Sequence, residues 1–101
     1  MDNLFAYGTL RDEQVQQKVF ARSLEGVPDA VLGYRLGSIT INGKVYRALD
    51  QSGQESDVVE GMVFELSAAE LMLADAYETA AYRRARVKLR SGADAWIYVR
   101  A

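Results

Sequence analysis

Leu4 to Tyr7 is a short apolar run stopped by Gly8, a length that suits a buried first strand better than a helix. From Asp12 to about Arg22 the spacing lengthens. Val15, Val19 and Phe20 fall on one helical stripe, while Gln14, Gln16, Gln17 and Lys18 look outward. Thr9 and Asp12 stand where a side chain would cap that helix. Gly26-Val27-Pro28 breaks the pattern, and Ala30 to Leu36 resumes as a strand. Further extended pieces follow near Ile39–Ile41 and Val45–Leu49, joined by an Asn42-Gly43 hairpin turn. Asp50 to Asp57 is wholly polar apart from its glycine and reads as an exposed loop, whose oxygens do not follow EF-hand spacing.

Val58 to Leu66 carries apolar residues on both faces and is expected to be a central strand. Gly61 there marks a bulge or a close backbone approach. Ser67-Ala68-Ala69-Glu70 forms a capping box, with Leu66 and Leu71 placed as a hydrophobic staple, so a helix is predicted from about Ser67 to Tyr77. Tyr82 to Arg90 alternates strictly, Ala85, Val87 and Leu89 against Arg84, Arg86, Lys88 and Arg90. After a turn at Ser91–Asp94, Ala95 to Arg100 returns as the second strand of a hairpin. The mixed order of strands and helices predicts an α+β fold, a small, closed, barrel-like mixed β-sheet with two flanking helices, in a single domain over residues 1–101.

Composition narrows the chemistry. Twelve basic and 14 acidic residues leave a net charge of -2, which gives no overall pull toward nucleic acid or anionic lipid. Without cysteine there are no disulfides, thiol nucleophiles or thiolate metal sites. Without histidine there is no Ser-His-Asp triad, no His-bearing zinc centre and no imidazole base. Acid/base work falls to carboxylate, lysine or tyrosine. No basic leader with an apolar run opens the chain and no stretch is apolar enough to span a bilayer, so a cytoplasmic location is expected.

The passage Tyr7-Gly8-Thr9-Leu10 leads from strand to helix, and such a passage leaves successive backbone N–H groups able to surround a carboxylate or an amide oxygen. Gly8 lets the backbone approach a ligand, Thr9 adds a hydroxyl and Tyr7 an aromatic wall; an ordinary capped turn has the same sequence. Glu78 follows the second predicted helix, where the helix dipole and partial burial both raise a carboxylate pKa toward the range of a general base. A solvated acid at a helix end is the plain alternative. Asp75, three residues earlier, reads as a local hydrogen-bonding group more than as half of a glycosidase-like pair. The stripe Arg84 to Arg90 reads as the wet side of a sheet more than as a phosphate-binding face.

Taken together, Phe5-Ala6-Tyr7-Gly8-Thr9-Leu10-Arg11, Val59-Glu60-Gly61-Met62-Val63-Phe64, and Asp75-Ala76-Tyr77-Glu78 with Tyr82-Arg83-Arg84 resemble the γ-glutamylcyclotransferase-like family, in the expected order over nearly the whole chain. The resemblance implies a barrel-like mixed sheet whose cavity holds a γ-glutamyl group. It implies that Glu78 is the acid/base residue, and that Tyr7, Gly8, Thr9 and Leu10, with Tyr46 and Tyr82, meet the substrate. It implies release of 5-oxoproline and a free amine, no metal and no organic cofactor. The implied partner is a small γ-glutamyl molecule, with neither nucleic acid nor membrane; a binding module of the same fold that does not turn its ligand over is the alternative. Two positions depart from the family pattern: Thr79 stands where glycine is common, and Arg47 where proline often follows the tyrosine.

Overall fold

The computed structural model describes residues 1–101. In order, the chain forms β1 (Asp2–Ala6), a 3-10 turn (Thr9–Arg11), α1 (Glu13–Phe20), β2 (Gly26–Leu32), β3 (Tyr34–Ile41), β4 (Lys44–Gln51), β5 (Val58–Leu66), α2 (Ala68–Glu78), β6 (Tyr82–Lys88) and β7 (Asp94–Arg100). Five strands make one mixed sheet in the order β2-β5-β1-β7-β6, with β1 antiparallel to β5 and parallel to β7. Because side chains alternate along each strand, this sheet feeds two separate cores. Leu4, Ala6, Phe64, Leu66 and Tyr98 pack with Leu10, Phe20, Leu71 and Ala74 from the 3-10 turn and the two helices. Phe5, Tyr7, Val59, Ile97 and Val99 pack on the other face with Val31, Leu49 and Leu89.

The α+β class and two helices match the sequence reading, whereas the expected closure of the sheet does not occur. Gly33, at φ +81°, turns the chain inside the predicted strand Ala30–Leu36, so β3 leaves the main sheet and pairs only with β4. Edge strand β2 meets the segment after β6 at one place. There the Arg90 N–H donates to the Ala30 carbonyl (2.8 Å), and the Ser91 N–H and hydroxyl bond to the Asp29 carboxylate. The separate β3–β4 hairpin is held by Arg100, which pairs with Asp50 (2.8 Å) and donates to the Ser38 carbonyl (3.0 Å). Asn42 and Gly43 both have positive φ, as a two-residue hairpin turn requires.

Gly26-Val27-Pro28 is part of β2 and not a break. Its partner is β5 alone, and an edge strand accommodates a residue without an N–H. Helix α1 starts as expected, with the Asp12 carboxylate accepting the Gln14 N–H (2.8 Å), but stops at Phe20, where Ala21 turns left-handed (φ +58°). Thr9 begins the 3-10 turn and caps nothing. The capping box of α2 is complete: the Ser67 hydroxyl accepts the Glu70 N–H (3.1 Å) and the Glu70 carboxylate accepts the Ser67 N–H (3.0 Å). Arg22 pairs with the same carboxylate (2.7 Å), holding Glu70 down at about 2.

Gly61 resolves as a close approach. The register of β5 is unbroken on both sides, and a Cβ there would strike the Ala6 carbonyl and the Phe5 ring. That contact keeps β5 tight against the end of β1, where the chain leaves the sheet. No helix is long and apolar enough to cross a membrane.

Candidate active site

The end of β1, the C-terminal end of α2 and the β3–β4 hairpin surround one cavity of about 830 Å³. Tyr7, Gly8, Thr9, Leu10, Tyr46, Glu78 and Tyr82 all line it, so the fold brings together every site residue singled out in the sequence. Tyr77, Tyr98, Arg11, Arg47 and Met62 line it as well. Sequence reasoning passed over Tyr77 and Tyr98; the position of Tyr77 beside Glu78 was an available signal, and nothing local marks Tyr98.

Each part of the loop has a distinct physical state. The N–H groups of Gly8, Thr9 and Leu10 have no acceptor within the protein. The next two turn back, Arg11 to the Gly8 carbonyl (3.2 Å) and Asp12 to the Thr9 carbonyl (2.9 Å). No atom lies within 4 Å of the place a Gly8 side chain would take, so the backbone faces open space there. The Tyr7 hydroxyl donates to the Tyr98 carbonyl (2.6 Å) and is buried, which pushes its pKa upward together with the charge of Glu78. The Thr9 hydroxyl shares a hydrogen bond with the Tyr77 hydroxyl (2.7 Å), and the Tyr82 hydroxyl donates to the Arg47 carbonyl (2.8 Å).

Glu78 is the last residue of α2, one position further into the helix than the sequence suggested. Its side chain is partly buried and takes part in no hydrogen bond or ion pair with the protein. Burial alone lifts its pKa to about 7, so desolvation accounts for the shift without the helix dipole. An acid without partners, poised near neutrality in a cavity that Gly8, Thr9 and Leu10 also line, can act as a proton acceptor where free N–H donors are at hand for developing negative charge.

Asp75 is occupied elsewhere: one of its oxygens accepts the Tyr98 hydroxyl (2.7 Å) and pairs with the Arg84 guanidinium (2.7 Å). The basic stripe is engaged in part, closely at Arg84 and Arg86 and only loosely, at 3.9 Å between exposed side chains, at Lys88 and Arg90. Arg84 and Arg86 lie over the Trp96 ring at 4.5 and 4.9 Å, Lys88 pairs with Asp94, and Arg90 with Glu60. No cluster of acidic side chains suited to a metal ion occurs.

Thr79 leaves the helix at φ +65°, a conformation that costs a β-branched residue energy and costs glycine none. Thr79→Gly is therefore expected to stabilise the protein by about 1 kcal/mol, strain relief outweighing the added chain entropy. Urea denaturation checks it; a lower midpoint would show that the threonine is not strained. Arg47 keeps an exposed guanidinium without an ion pair on the cavity wall.

An open mixed sheet with helices on one face, a detached hairpin on the other and an acid-bearing cavity at the end of β1 defines an α+β protein. Residues 4–101 match the family model described as Gamma-glutamyl cyclotransferase, AIG2-like, and the chain belongs to that family. A protein of Arabidopsis thaliana solved in solution superposes with a TM-score of 0.79 at 27% identity, over 98% of this chain and 61% of its own. A structure titled gamma-glutamyl cyclotransferase (TM-score 0.79, 18% identity, 99% of this chain and 66% of that one) shares the fold. So does an uncharacterized protein from Homo sapiens (TM-score 0.78, 20% identity, 99% and 66%). This chain thus spans about two thirds of the length of these structures. Comparison with the curated proteins finds no match.

Proposed function

We propose that the protein is a cyclotransferase that converts a γ-glutamyl amine or peptide to 5-oxoproline and a free amine, with Glu78 as general acid/base. The observation that carries this reading is the unpaired Glu78 carboxylate, with a pKa of about 7, in the same cavity as the unbonded N–H groups of Gly8, Thr9 and Leu10. Membership of the γ-glutamyl cyclotransferase family supports it.

The substrate α-amine enters as an ammonium, which cannot attack. Glu78 takes a proton from it, and the freed lone pair attacks the γ-carbonyl carbon of the same molecule, closing a five-membered ring. Because the reaction is intramolecular, holding the chain folded supplies much of the acceleration. The loop N–H groups hold the γ-oxygen as it gains negative charge. The bond from the γ-carbon to the amide nitrogen then breaks. Of the three ammonium protons one stays on the ring nitrogen, and Glu78 passes the other two to the departing nitrogen. No covalent bond to the protein forms.

The Tyr7 and Tyr82 hydroxyls already donate to protein carbonyls, so in this reading they act as walls of the cavity, with Tyr46 beside them. The test is incubation of the purified protein with a panel of γ-glutamyl amino acids, peptides and amines, scoring 5-oxoproline by mass. Release from at least one class is expected. Thermal protection by these compounds with no 5-oxoproline would replace the enzyme by a binding module of the same fold.

A further inference from the structure

The last turn of α2 carries the proposed acid, yet the apolar core does little to hold it. The buried residues of α2 are Leu71 and Ala74, and after them Ala76 and Tyr77 are exposed. The turn then ends in the left-handed Thr79. A helix end in this condition frays, and a carboxylate on it would sample many positions.

Two side-chain ties hold the turn. At the rim, the Tyr77 hydroxyl bonds to that of Thr9. Deeper, Asp75 accepts the Tyr98 hydroxyl from β7 and pairs with Arg84 from β6, both at 2.7 Å and both at the same oxygen. Arg84 is itself fixed by stacking over Trp96. Tyr98 is a buried residue of the sheet, and its carbonyl accepts the Tyr7 hydroxyl (2.6 Å). One sheet residue therefore touches both halves of the site: its backbone holds the residue that opens the loop, and its side chain holds the turn that bears Glu78.

We infer that Asp75 is a positioning residue, whose hydrogen bond from Tyr98 and ion pair with Arg84 set the last turn of α2 so that Glu78 meets the loop Tyr7–Leu10. The inference rests on the cyclotransferase reading. Asp75 lines the neighbouring surface recess and not the main cavity, so it acts through Glu78 and does not meet the substrate.

The experiment measures kcat and KM for 5-oxoproline release by Asp75→Ala, Asp75→Asn and Tyr98→Phe, each also combined with Glu78→Gln. Displacing a reacting group by about 1 Å costs on the order of 10²-fold in rate. Asp75→Ala is thus expected to lower kcat by roughly 10- to 100-fold, with KM changed less than about threefold. Asp75→Asn keeps an oxygen acceptor for Tyr98 and is expected to recover most of that loss. Tyr98→Phe keeps the ring in the core and the Tyr7 contact, and is expected to lower kcat by about tenfold; it decides the matter should Asp75→Ala not fold. With Glu78→Gln already present, none of the three should cost anything further, because the group they position is gone.

Full turnover in Asp75→Ala, an asparagine as damaging as alanine, or additive losses in the Glu78→Gln background would each overturn the positioning role. A parent protein that releases no 5-oxoproline from any γ-glutamyl compound would defeat the functional reading instead.

Discussion

Glu78→Gln is expected to lower turnover of a γ-glutamyl substrate by about 10²-fold or more while KM moves less than about threefold. Glutamine has the same shape and reach, and the carboxylate it replaces makes no bond to the protein, so the substitution removes a base and leaves the cavity as it was. The parent's pH profile carries the same signature. A base must be deprotonated to act, and burial sets the Glu78 pKa at about 7. kcat/KM should therefore climb about tenfold per pH unit below that value and level off above it, and the residual activity of Glu78→Gln should lack the climb. Glu78→Asp separates position from basicity: it keeps a carboxylate but withdraws it by one methylene, and is expected to lose about tenfold or more in kcat. Steady-state kinetics from pH 5 to 9 on the three proteins make the check, and a Glu78→Gln variant with parental kcat would remove Glu78 from the mechanism.

Where one short-range rule decides a feature, the sequence showed it. The Ser67 capping box, the Asn42-Gly43 turn and the period-two run from Tyr82 each depend on residues within a few positions of one another, and all three appear as read. Closure of the sheet depends on a long-range balance that no local pattern displays. Gly33 looked like one more residue in a strand, yet its positive φ sends β3 out of the sheet and leaves the cavity a hairpin wall of its own. The strand that contains Pro28 was hidden for the opposite reason. Proline argues against a strand in general but not on the edge of a sheet, and edge or centre is a property of the assembled fold.

The site divides in the same way. The motif Tyr7-Gly8-Thr9-Leu10 and Glu78 were visible through the family resemblance, and the fold places both on one cavity. What the motif did not display is the division of labour inside it. The hydroxyls of Tyr7, Thr9 and Tyr82 are spent on the protein itself, and the groups left free include backbone N–H donors of the loop, the Glu78 carboxylate and the Arg47 guanidinium. Tyr98 was unreadable as a site residue, because its importance lies in being close to Asp75 and Tyr7, which are 23 and 91 positions away along the chain. The raised pKa of Glu78 is expected in part from the helix dipole, but burial is sufficient, and burial is a tertiary quantity.

The substitution expected to slow turnover most, Glu78→Gln, is also expected to make the protein more stable at pH 8. In the unfolded chain a glutamate titrates near 4.5, whereas in the folded protein burial raises Glu78 to about 7, so the folded state holds the proton more tightly. Its contribution is fully present below pH 4.5 and is lost as pH rises through 7, because the ionised carboxylate must then be kept partly buried without a partner. Glutamine never ionises. At pH 4 the two side chains are nearly equivalent, and at pH 8 only the parent carries the charge. The difference amounts to about 3 kcal/mol for full burial and about 2 kcal/mol for a group that keeps an edge open to the cavity. In a domain of this size that is roughly 10 °C in Tm. Measuring parent and Glu78→Gln side by side at both pH values cancels every other titrating group, so the change in the gap between them reports Glu78 alone. A gap that stays constant from pH 4 to 8 would mean that the carboxylate is solvated in the folded protein. A gap that opens with pH would show a destabilising acid held in place at the cavity, the trade of stability for activity expected of a catalytic base.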